Sequence, residues 1–161
     1  MKNNSPSLTI KMQLNIDSIQ TEIKAANRVE AIRAAAAPLL ERHWITEGYL
    51  RAVLEREKTF PTGLPAAVGV AIPHADPEGV LREAVSMITL ERPVAFGAMG
   101  APEETVMVSI LFLLAIKDGN AQIDTLQAIV GVIQNEMVLQ KITGAKKPEK
   151  VYNLFNEIDI E

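Results

Sequence analysis

The longest apolar run of the chain, residues 106–116, constrains the fold more than any other segment. Only Ser109 interrupts it, and it is too short to cross a bilayer as a helix, which takes about 20 apolar residues. Such a run is typical of a strand that is buried on both faces. It therefore predicts the central strand of a sheet in a protein that does not insert into a membrane.

Strand and helix patterns alternate along the rest of the chain. Alternation of apolar residues predicts further strands over residues 8–16, 68–72 and 84–90, with a short extended piece at 93–96. Capping residues and helical spacing predict helices over residues 27–42, 46–58, 121–135, 136–143 and 147–158. We expect a single α/β domain over residues 1–161, in which helices pack around a central sheet and residues 1–7 form a flexible tail.

Two residues carry specific local predictions. Pro38 lies inside the first predicted helix and indicates a kink or a break into two helices. Asn120 follows a turn and is predicted as the N-cap of the helix over 121–135. The apolar face of that helix is predicted to contain Ile123, Leu126, Ile129, Val130 and Ile133.

Charge and composition exclude several classes of function. The formal net charge of −4 leaves no basic face for nucleic acid. The absence of cysteine excludes disulfides, thiol nucleophiles and thiolate metal sites, and fits a reducing cytoplasm. Residues 1–7 are polar and do not resemble a signal peptide. Neither glycine-rich nucleotide fingerprint is present, and we expect no cofactor in a cytoplasmic protein.

His74 is the main candidate for chemistry. It follows the strand predicted over 68–72 and Pro73, which ends the strand because it has no N–H to donate. A histidine at the end of a strand lies where α/β sheets often present functional groups. A space-filling turn histidine is the alternative, and for an isolated histidine it is the commoner case.

Three other positions shift that balance towards function. Arg56 alone reads as part of a solvated helix end, Thr62 as part of a tight turn, and Asn120 as a helix cap. Together with His74 they supply the parts of a phosphohistidine site. The imidazole is the nucleophile, Arg56 a fixed cation, Thr62 a hydroxyl donor, and the helix start at Asn120 a source of free N–H groups.

Other polar residues have simpler explanations. Glu103 and Glu104 are predicted to lie in a solvated turn rather than to form an acid/base pair. His43 lies at a predicted helix end, where its charge complements the helix dipole. His74 and Asp76 alone are too few ligands for a metal, so no metal site is expected.

Three segments of the chain resemble one protein family. They are Glu-Arg-Glu-Lys at 55–58, Thr-Phe-Pro-Thr-Gly at 59–63 and Val-Ala-Ile-Pro-His-Ala at 70–75. They are similar to the IIA domain of the bacterial phosphoenolpyruvate-dependent sugar phosphotransferase system (PTS), mannitol/fructose type. The resemblance runs from about Ile45 to the C-terminus. Phe-Pro-Thr-Gly and the Ala-Met-Gly stretch at 98–100 are most similar to the galactitol-specific branch.

The resemblance implies a phosphocarrier with a mixed sheet flanked by helices on both faces. It implies that His74 accepts a phosphoryl group on Nε2 from phosphohistidine on HPr and passes it to a IIB component. Arg56 matches the family's active-site arginine and Thr62 its loop Ser/Thr. Asn120 stands where mannitol- and fructose-type domains commonly have a second histidine, a departure that galactitol-type sequences share; an amide can still donate hydrogen bonds to a phosphoryl group.

The mode of action leads to one structural expectation and leaves two alternatives. Because two protein partners must reach the same atom, we expect the His74 ring to lie in a shallow, wide depression. The first alternative is a regulatory binding module controlled by phosphorylation, like the nitrogen-related members of the family. The second, a hydrolase with His74 as base, requires a second activated group and an enclosed pocket, and the sequence shows neither.

Overall fold

Five strands and five helices make up the part of the chain that the structure, a computed structural model, describes, residues 14–157. The strands are β1 (Leu14–Ile23), β2 (Gly63–Leu64), β3 (Gly69–Ala71), β4 (Ala84–Ala98) and β5 (Ala101–Ala115). The helices are α1 (Arg28–Glu41), α2 (Glu47–Thr59), α3 (Gly119–Ile133), α4 (Glu136–Gly144) and α5 (Pro148–Glu157). Between residues 14 and 157, no helix combines the length and the apolar composition that crossing a bilayer takes.

A long antiparallel hairpin of β4 and β5 forms the centre of a mixed sheet. Its register runs from Ala84 opposite Ala115 to Ala98 opposite Ala101. Strand β1 pairs with β4 in parallel, and β3 pairs with β5 in parallel. Strand β2 is antiparallel to β3, and its Gly63 also pairs with Ala98. The hairpin therefore supports the short strand β3, which leads directly to His74.

The central strand β5 separates two apolar cores. Leu111, Leu113 and Ala115 contribute to the core beneath α1 and α2. Phe112 and Leu114, on the opposite face, contribute to the core beneath α3, α4 and α5. Within the predicted run, residues 110–116 are thus buried on both sides, whereas Met107 is 54% exposed. The predicted α/β class, with a mixed sheet and helices on both faces, is confirmed.

The helix α1 continues through Pro38, so of the two predicted outcomes, a kink or a break, the break is wrong. Pro38 cannot donate the hydrogen bond that the carbonyl of Ala34 would normally accept. The side chain of Gln20 in β1 donates to that carbonyl instead, at 2.8 Å. The structure therefore compensates the proline with a contact from the sheet, which no local pattern could reveal.

Three strand predictions need correction. The first strand extends to Ile23, while residues 8–13 of its predicted range lie outside the described residues. The pieces predicted at 84–90 and 93–96 form one strand, β4, with an irregularity in the pairing between Thr89 and Val94 that accommodates Pro93. Glu103 and Glu104 are exposed, as predicted, but they lie in β5 rather than in a turn.

The start and the buried face of α3 also differ from the prediction. Asp118, not Asn120, is the N-cap, and its carboxylate accepts from the N–H of Ala121 at 3.0 Å. Ile123 and Val130 are about half exposed. The fully buried residues of this helix are Thr125, Ala128, Ile129 and Val132. Leu126 and Ile133 are partly buried against the same core, so the observed buried face overlaps the predicted one but is rotated from it.

Candidate functional site

His74 is held at the end of β3 by its own ring nitrogen. Nδ1 lies 2.8 Å from the carbonyl oxygen of Ile72. A carbonyl can only accept, so Nδ1 carries the proton and donates. In a neutral ring Nε2 then keeps its lone pair. The local backbone thus selects the tautomer in which Nε2 is the nucleophilic atom.

Burial also keeps the His74 ring neutral. The side chain is half-buried, and loss of solvation is the main cause that lowers its pKa below the ordinary 6.5. The charge of Arg56 lowers the pKa further, while the hydrogen bond to Ile72 and the charge of Asp76 raise it. The net direction is downward, so the neutral, nucleophilic form predominates at pH 7.

Tyr49 fixes the backbone on the other side of His74. Its buried hydroxyl donates to the carbonyl of Leu114 and accepts from the N–H of Ala75 at 3.3 Å. The N–H of Leu114 in turn donates to the carbonyl of Pro73 at 3.1 Å. Burial raises the pKa of Tyr49 to about 12, so the hydroxyl stays protonated. The residues before and after His74 are therefore both tied to the central strand.

Arg56 presents a cation beside this segment. It lies in the last turn of α2, with its guanidinium 5.3 Å from the centre of the Phe60 ring. Among residues 14–157, no carboxylate lies within ion-pair distance of Arg56. The positive charge of Arg56 contributes to the lowered pKa of His74. This cation is available to an external anion.

An open depression of about 640 Å³ lies next to His74. Arg56 and Phe60 line one side, and Ala75 and Asp76, which follow His74 in the chain, line another. Gly79, whose φ is +91°, also lines it, and a Cβ there would lie 2.6 Å from the Thr46 hydroxyl. The depression therefore lies beside the imidazole rather than around it.

Thr62 lies beneath the site, with its side chain turned away from solvent. Its hydroxyl donates to Glu57 at 3.0 Å and accepts from the N–H of Ile72 at 3.1 Å. Since a hydroxyl has one proton, Thr62 has none to offer a phosphoryl group in this arrangement. The expected direct donor role does not fit the geometry, and Thr62 instead contacts the backbone that holds His74.

Glu57 is the site residue that sequence reasoning missed. Its side chain is 3% exposed and accepts from the N–H of Thr62 at 2.8 Å as well as from the hydroxyl. Burial raises its pKa to about 7, against the effect of these hydrogen bonds and of Arg28 and Arg56. The surrounding Glu-Arg-Glu-Lys run suggested solvent exposure, but the position four residues after buried Val53 places Glu57 on the inner face of α2.

Among residues 14–157, no hydrogen bond connects Asn120 to this network. Its side chain is exposed in the first turn of α3, and no hydrogen bond within residues 14–157 joins it to His74. Carboxylates already occupy the amides around it: Asp118 accepts from Ala121, and Glu83 accepts from Lys117 and Asp118 at 2.8 and 3.0 Å. The helix start is therefore a poorer anion site than the sequence suggested.

The part of the chain that the structure describes contains no candidate metal site. Within residues 14–157, no three His, Asp or Glu side chains are grouped closely enough to hold a metal ion. His43, the other histidine, is exposed beyond the end of α1 with a φ of +60°. Of the predicted site residues, the structure places Arg56 near His74, and Thr62 contacts the backbone of Ile72, which holds the His74 ring.

The comparisons with known proteins agree on one family. The family model "Phosphoenolpyruvate-dependent sugar phosphotransferase system, EIIA 2" matches residues 12–158. The mannitol-specific phosphotransferase enzyme IIA component of Bacillus subtilis is 27% identical over 146 residues, 89% of this chain and 96% of that protein. The ascorbate-specific PTS EIIA component of Salmonella typhimurium is 25% identical, over 87% of this chain and 90% of that protein.

A solved structure shows the same likeness in three dimensions. The solution structure of the mannitol-specific cryptic IIA enzyme CmtB from Escherichia coli has a TM-score of 0.76 and 25% identity, covering 92% of this chain and 99% of that one. The family match also begins at residue 12 rather than near Ile45, so it includes β1 and α1, which carry no motif. The chain belongs to the EIIA type 2 family and is a IIA phosphotransferase component of a sugar PTS.

Proposed function

We propose that Nε2 of His74 is the atom that carries the phosphoryl group. The observation that supports this most strongly is the hydrogen bond from Nδ1 to the Ile72 carbonyl, which leaves Nε2 as the free nucleophile. The unpaired cation of Arg56 and the lowered pKa of His74 act in the same direction. A neutral imidazole beside a fixed cation suits attack on a dianionic phosphoryl group.

The transfer step needs no proton to move between the proteins. The Nε2 lone pair forms a bond to phosphorus while the phosphorus–nitrogen bond of the donor phosphohistidine breaks. The electron pair of the broken bond returns to the donor ring nitrogen, and since the other nitrogen of the donor ring keeps its proton, a neutral imidazole is left and the positive ring charge passes to His74. The phosphorylated His74 ring keeps its Nδ1 proton and its hydrogen bond to Ile72. Passing the group to a IIB component repeats the same step in the opposite role.

Arg56 stabilises the charge on the transferring group. Its planar guanidinium can donate two parallel hydrogen bonds to phosphoryl oxygens, and Phe60 limits where it can point. Thr62 contributes from behind the site, through the backbone that it contacts. Asn120, on the exposed first turn of α3, contributes a weaker and solvated amide donor.

The partners we propose are HPr as donor and a IIB component as acceptor, as the family resemblance implies. A partly exposed ring beside an open depression of about 640 Å³ is accessible to a protein surface. Both partners must reach the same nitrogen in turn, which an enclosed pocket would prevent. Transfer is then mostly a matter of docking geometry and charge.

The sugar we propose is galactitol or a related hexitol. The support is the pair of segments most similar to that branch, Phe-Pro-Thr-Gly and Ala-Met-Gly. The fold brings the two together, since the N–H of Met99 donates to the carbonyl of Gly63 at 2.8 Å. A Cβ on Gly63 would lie 2.6 Å from the carbonyl oxygen of Gly97, so these segments depend on each other for packing. The test is transfer from the phosphorylated protein to IIB components of galactitol, mannitol and ascorbate systems.

The experiment for the carrier function is phosphorylation with phosphoenolpyruvate, enzyme I and HPr. We expect acid-labile labelling of the wild type and none of His74→Ala. The matched control is His43→Ala, which removes the exposed histidine outside the site and should label fully. Labelling that persists in His74→Ala would overturn the assignment.

A further inference from the structure

A continuous chain of hydrogen bonds connects a buried carboxylate to the imidazole of His74. Oε1 of Glu57 accepts from the Thr62 hydroxyl at 3.0 Å, and the hydroxyl oxygen accepts from the N–H of Ile72 at 3.1 Å. The carbonyl of the same Ile72 accepts from Nδ1 of His74 at 2.8 Å. Three bonds thus link α2 to the ring through one backbone residue.

We propose that Glu57 is a positioning residue for His74, acting through the Thr62 hydroxyl and the backbone of Ile72. This inference rests on the proposed role of His74 as phosphoryl acceptor. Glu57 does not touch the phosphoryl group. It fixes the direction in which Thr62 donates, and so keeps the hydroxyl oxygen available to the Ile72 N–H.

The location of Thr62 explains why a side chain, rather than a neighbouring strand, accepts the hydrogen bond from the Ile72 N–H. Strand β3 ends at Ala71, so the N–H of Ile72 lies just beyond the strand. The Thr62 hydroxyl takes the place of a neighbouring strand at that point. Pro73 follows and holds Ile72 in the extended region. With its N–H anchored and its ψ restricted, Ile72 holds its carbonyl oxygen 2.8 Å from Nδ1 of His74.

The burial of Glu57 is hard to explain by stability alone. A carboxylate that is 3% exposed has lost most of its hydration, and no cation lies within ion-pair distance of it among residues 14–157. Arg28 and Arg56 favour its charged form only from a distance. A glutamine at this position would avoid the charge, but its single oxygen would have to accept from both the N–H and the hydroxyl of Thr62, and its NH₂ could donate to the hydroxyl oxygen in competition with the Ile72 N–H.

The test measures the His74 tautomer by ¹⁵N NMR at pH 8, where the imidazole is neutral and the Glu57 carboxyl is largely deprotonated. We expect Nδ1–H to dominate in the wild type. Thr62→Val keeps the shape of the side chain but breaks the chain of bonds, so the Nε2–H tautomer should become detectable and phosphoryl transfer should slow about tenfold. Thr62→Ser, which restores the hydroxyl, should recover most of both properties. Unchanged ring shifts and transfer in Thr62→Val would overturn the proposal.

Two further variants separate positioning from a loss of folding. Thr89→Val removes a hydroxyl of similar burial that accepts from the N–H of Glu22, far along β4, and should leave the ring shifts of His74 unchanged. Glu57→Gln retains the backbone contact and should change the tautomer in the same direction as Thr62→Val. If Thr62→Val does not fold, Glu57→Gln becomes the test of the positioning role. Ring shifts and phosphoryl transfer equal to those of the wild type in Glu57→Gln would then overturn the proposal.

The readout distinguishes this proposal from the function on which it depends. If the wild type accepts no phosphoryl group, the carrier function fails, whatever the tautomer. If the wild type is phosphorylated but the His74 tautomer and the rate of phosphoryl transfer are unchanged in both Thr62→Val and Glu57→Gln, only the positioning role fails.

Discussion

The end of β3 and the start of α3 were both expected to hold the phosphoryl group, and the structure builds them in opposite ways. At the end of β3, His74 is half-buried and both neighbouring peptide segments are tied to buried partners, Tyr49 and Thr62. At the start of α3, Asn120 is exposed, and Asp118 and Glu83 supply carboxylates to the local amides.

The difference shows where orientation comes from in a site of this kind. A nucleophile needs one direction and one protonation state, and buried hydrogen bonds impose both. At the start of α3, the exposed Asn120 amide has no such constraint, and the Asp118 and Glu83 carboxylates already accept from amides that an anion would otherwise bind. Among the residues that the structure describes, the groups that orient the nucleophile therefore lie around His74 rather than at the start of α3.

Apart from the loss of His74 itself, the largest effect is expected for Arg56→Ala. A charge-assisted hydrogen bond to phosphate contributes about 1.5–3 kcal/mol, so phosphoryl transfer should slow by roughly ten- to a hundredfold. Arg56→Lys should recover it only in part, because an ammonium lacks the planar fork. The control is Arg51→Ala, an exposed arginine on the same helix, and equal rates for the two alanine variants would contradict the role of Arg56.

A pH effect on stability is expected from Glu57. Its pKa is raised from 4.5 to about 7 in the folded protein, so the native state holds a proton that the unfolded chain releases. This stabilisation, up to about 3 kcal/mol, is complete below pH 4.5 and is lost as the pH rises through 7. Urea unfolding between pH 4.5 and 8 should show the decline.

The two glutamate variants on α2 check that assignment. Glu57→Gln should remove the decline in unfolding free energy, whereas Glu55→Gln, at an exposed position on the same helix, should preserve it. A decline that survives in Glu57→Gln would place the responsible group elsewhere.

Tyr49→Phe tests the other anchor of the His74 segment. It leaves the Ala75 N–H and the Leu114 carbonyl without their buried partner, which should lower the free energy of unfolding by about 2 kcal/mol. Phosphoryl transfer should slow several-fold, since the backbone after His74 is released. Tyr152→Phe, on α5, should not affect transfer; if Tyr49→Phe does not either, the anchor is dispensable for function.

The smallest effect is expected at the start of α3. Asn120→Ala should slow transfer by no more than about threefold, because the side chain is exposed and solvated. Asp118→Asn should preserve the helix cap but remove one negative charge, and a clear gain in transfer rate would show that this region contacts the phosphoryl group after all. A tenfold loss in Asn120→Ala would overturn the contrast between the two regions.

The elements that the sequence predicted well are those whose pattern is local. The apolar run of β5 and the strand–proline–histidine arrangement at His74 depend on neighbouring residues, and both appear in the structure. The N-cap of α3 could not be chosen in this way, since Asp118 and Asn120 are both good caps. The carboxylate of Glu83, more than thirty residues earlier, binds the amides of Lys117 and Asp118 and so favours the earlier start.

The burial of Glu57 could not be predicted, for a similar reason. Its helical position suggests an inner face, but its three charged neighbours indicate solvent. Burial follows only when the loop after α2 folds back and brings Thr62 onto the carboxylate. The motif match identifies His74 and Arg56, whereas the contacts that orient the imidazole come from tertiary structure.

The most direct test of the account is which nitrogen of His74 carries phosphorus. After phosphorylation by phosphoenolpyruvate, enzyme I and HPr, ³¹P–¹⁵N coupling in ¹⁵N-histidine-labelled protein identifies the bonded atom. We predict phosphorus on Nε2, with the proton retained on Nδ1, because the Ile72 carbonyl occupies the Nδ1 side. Phosphorus on Nδ1, or on His43, would contradict it.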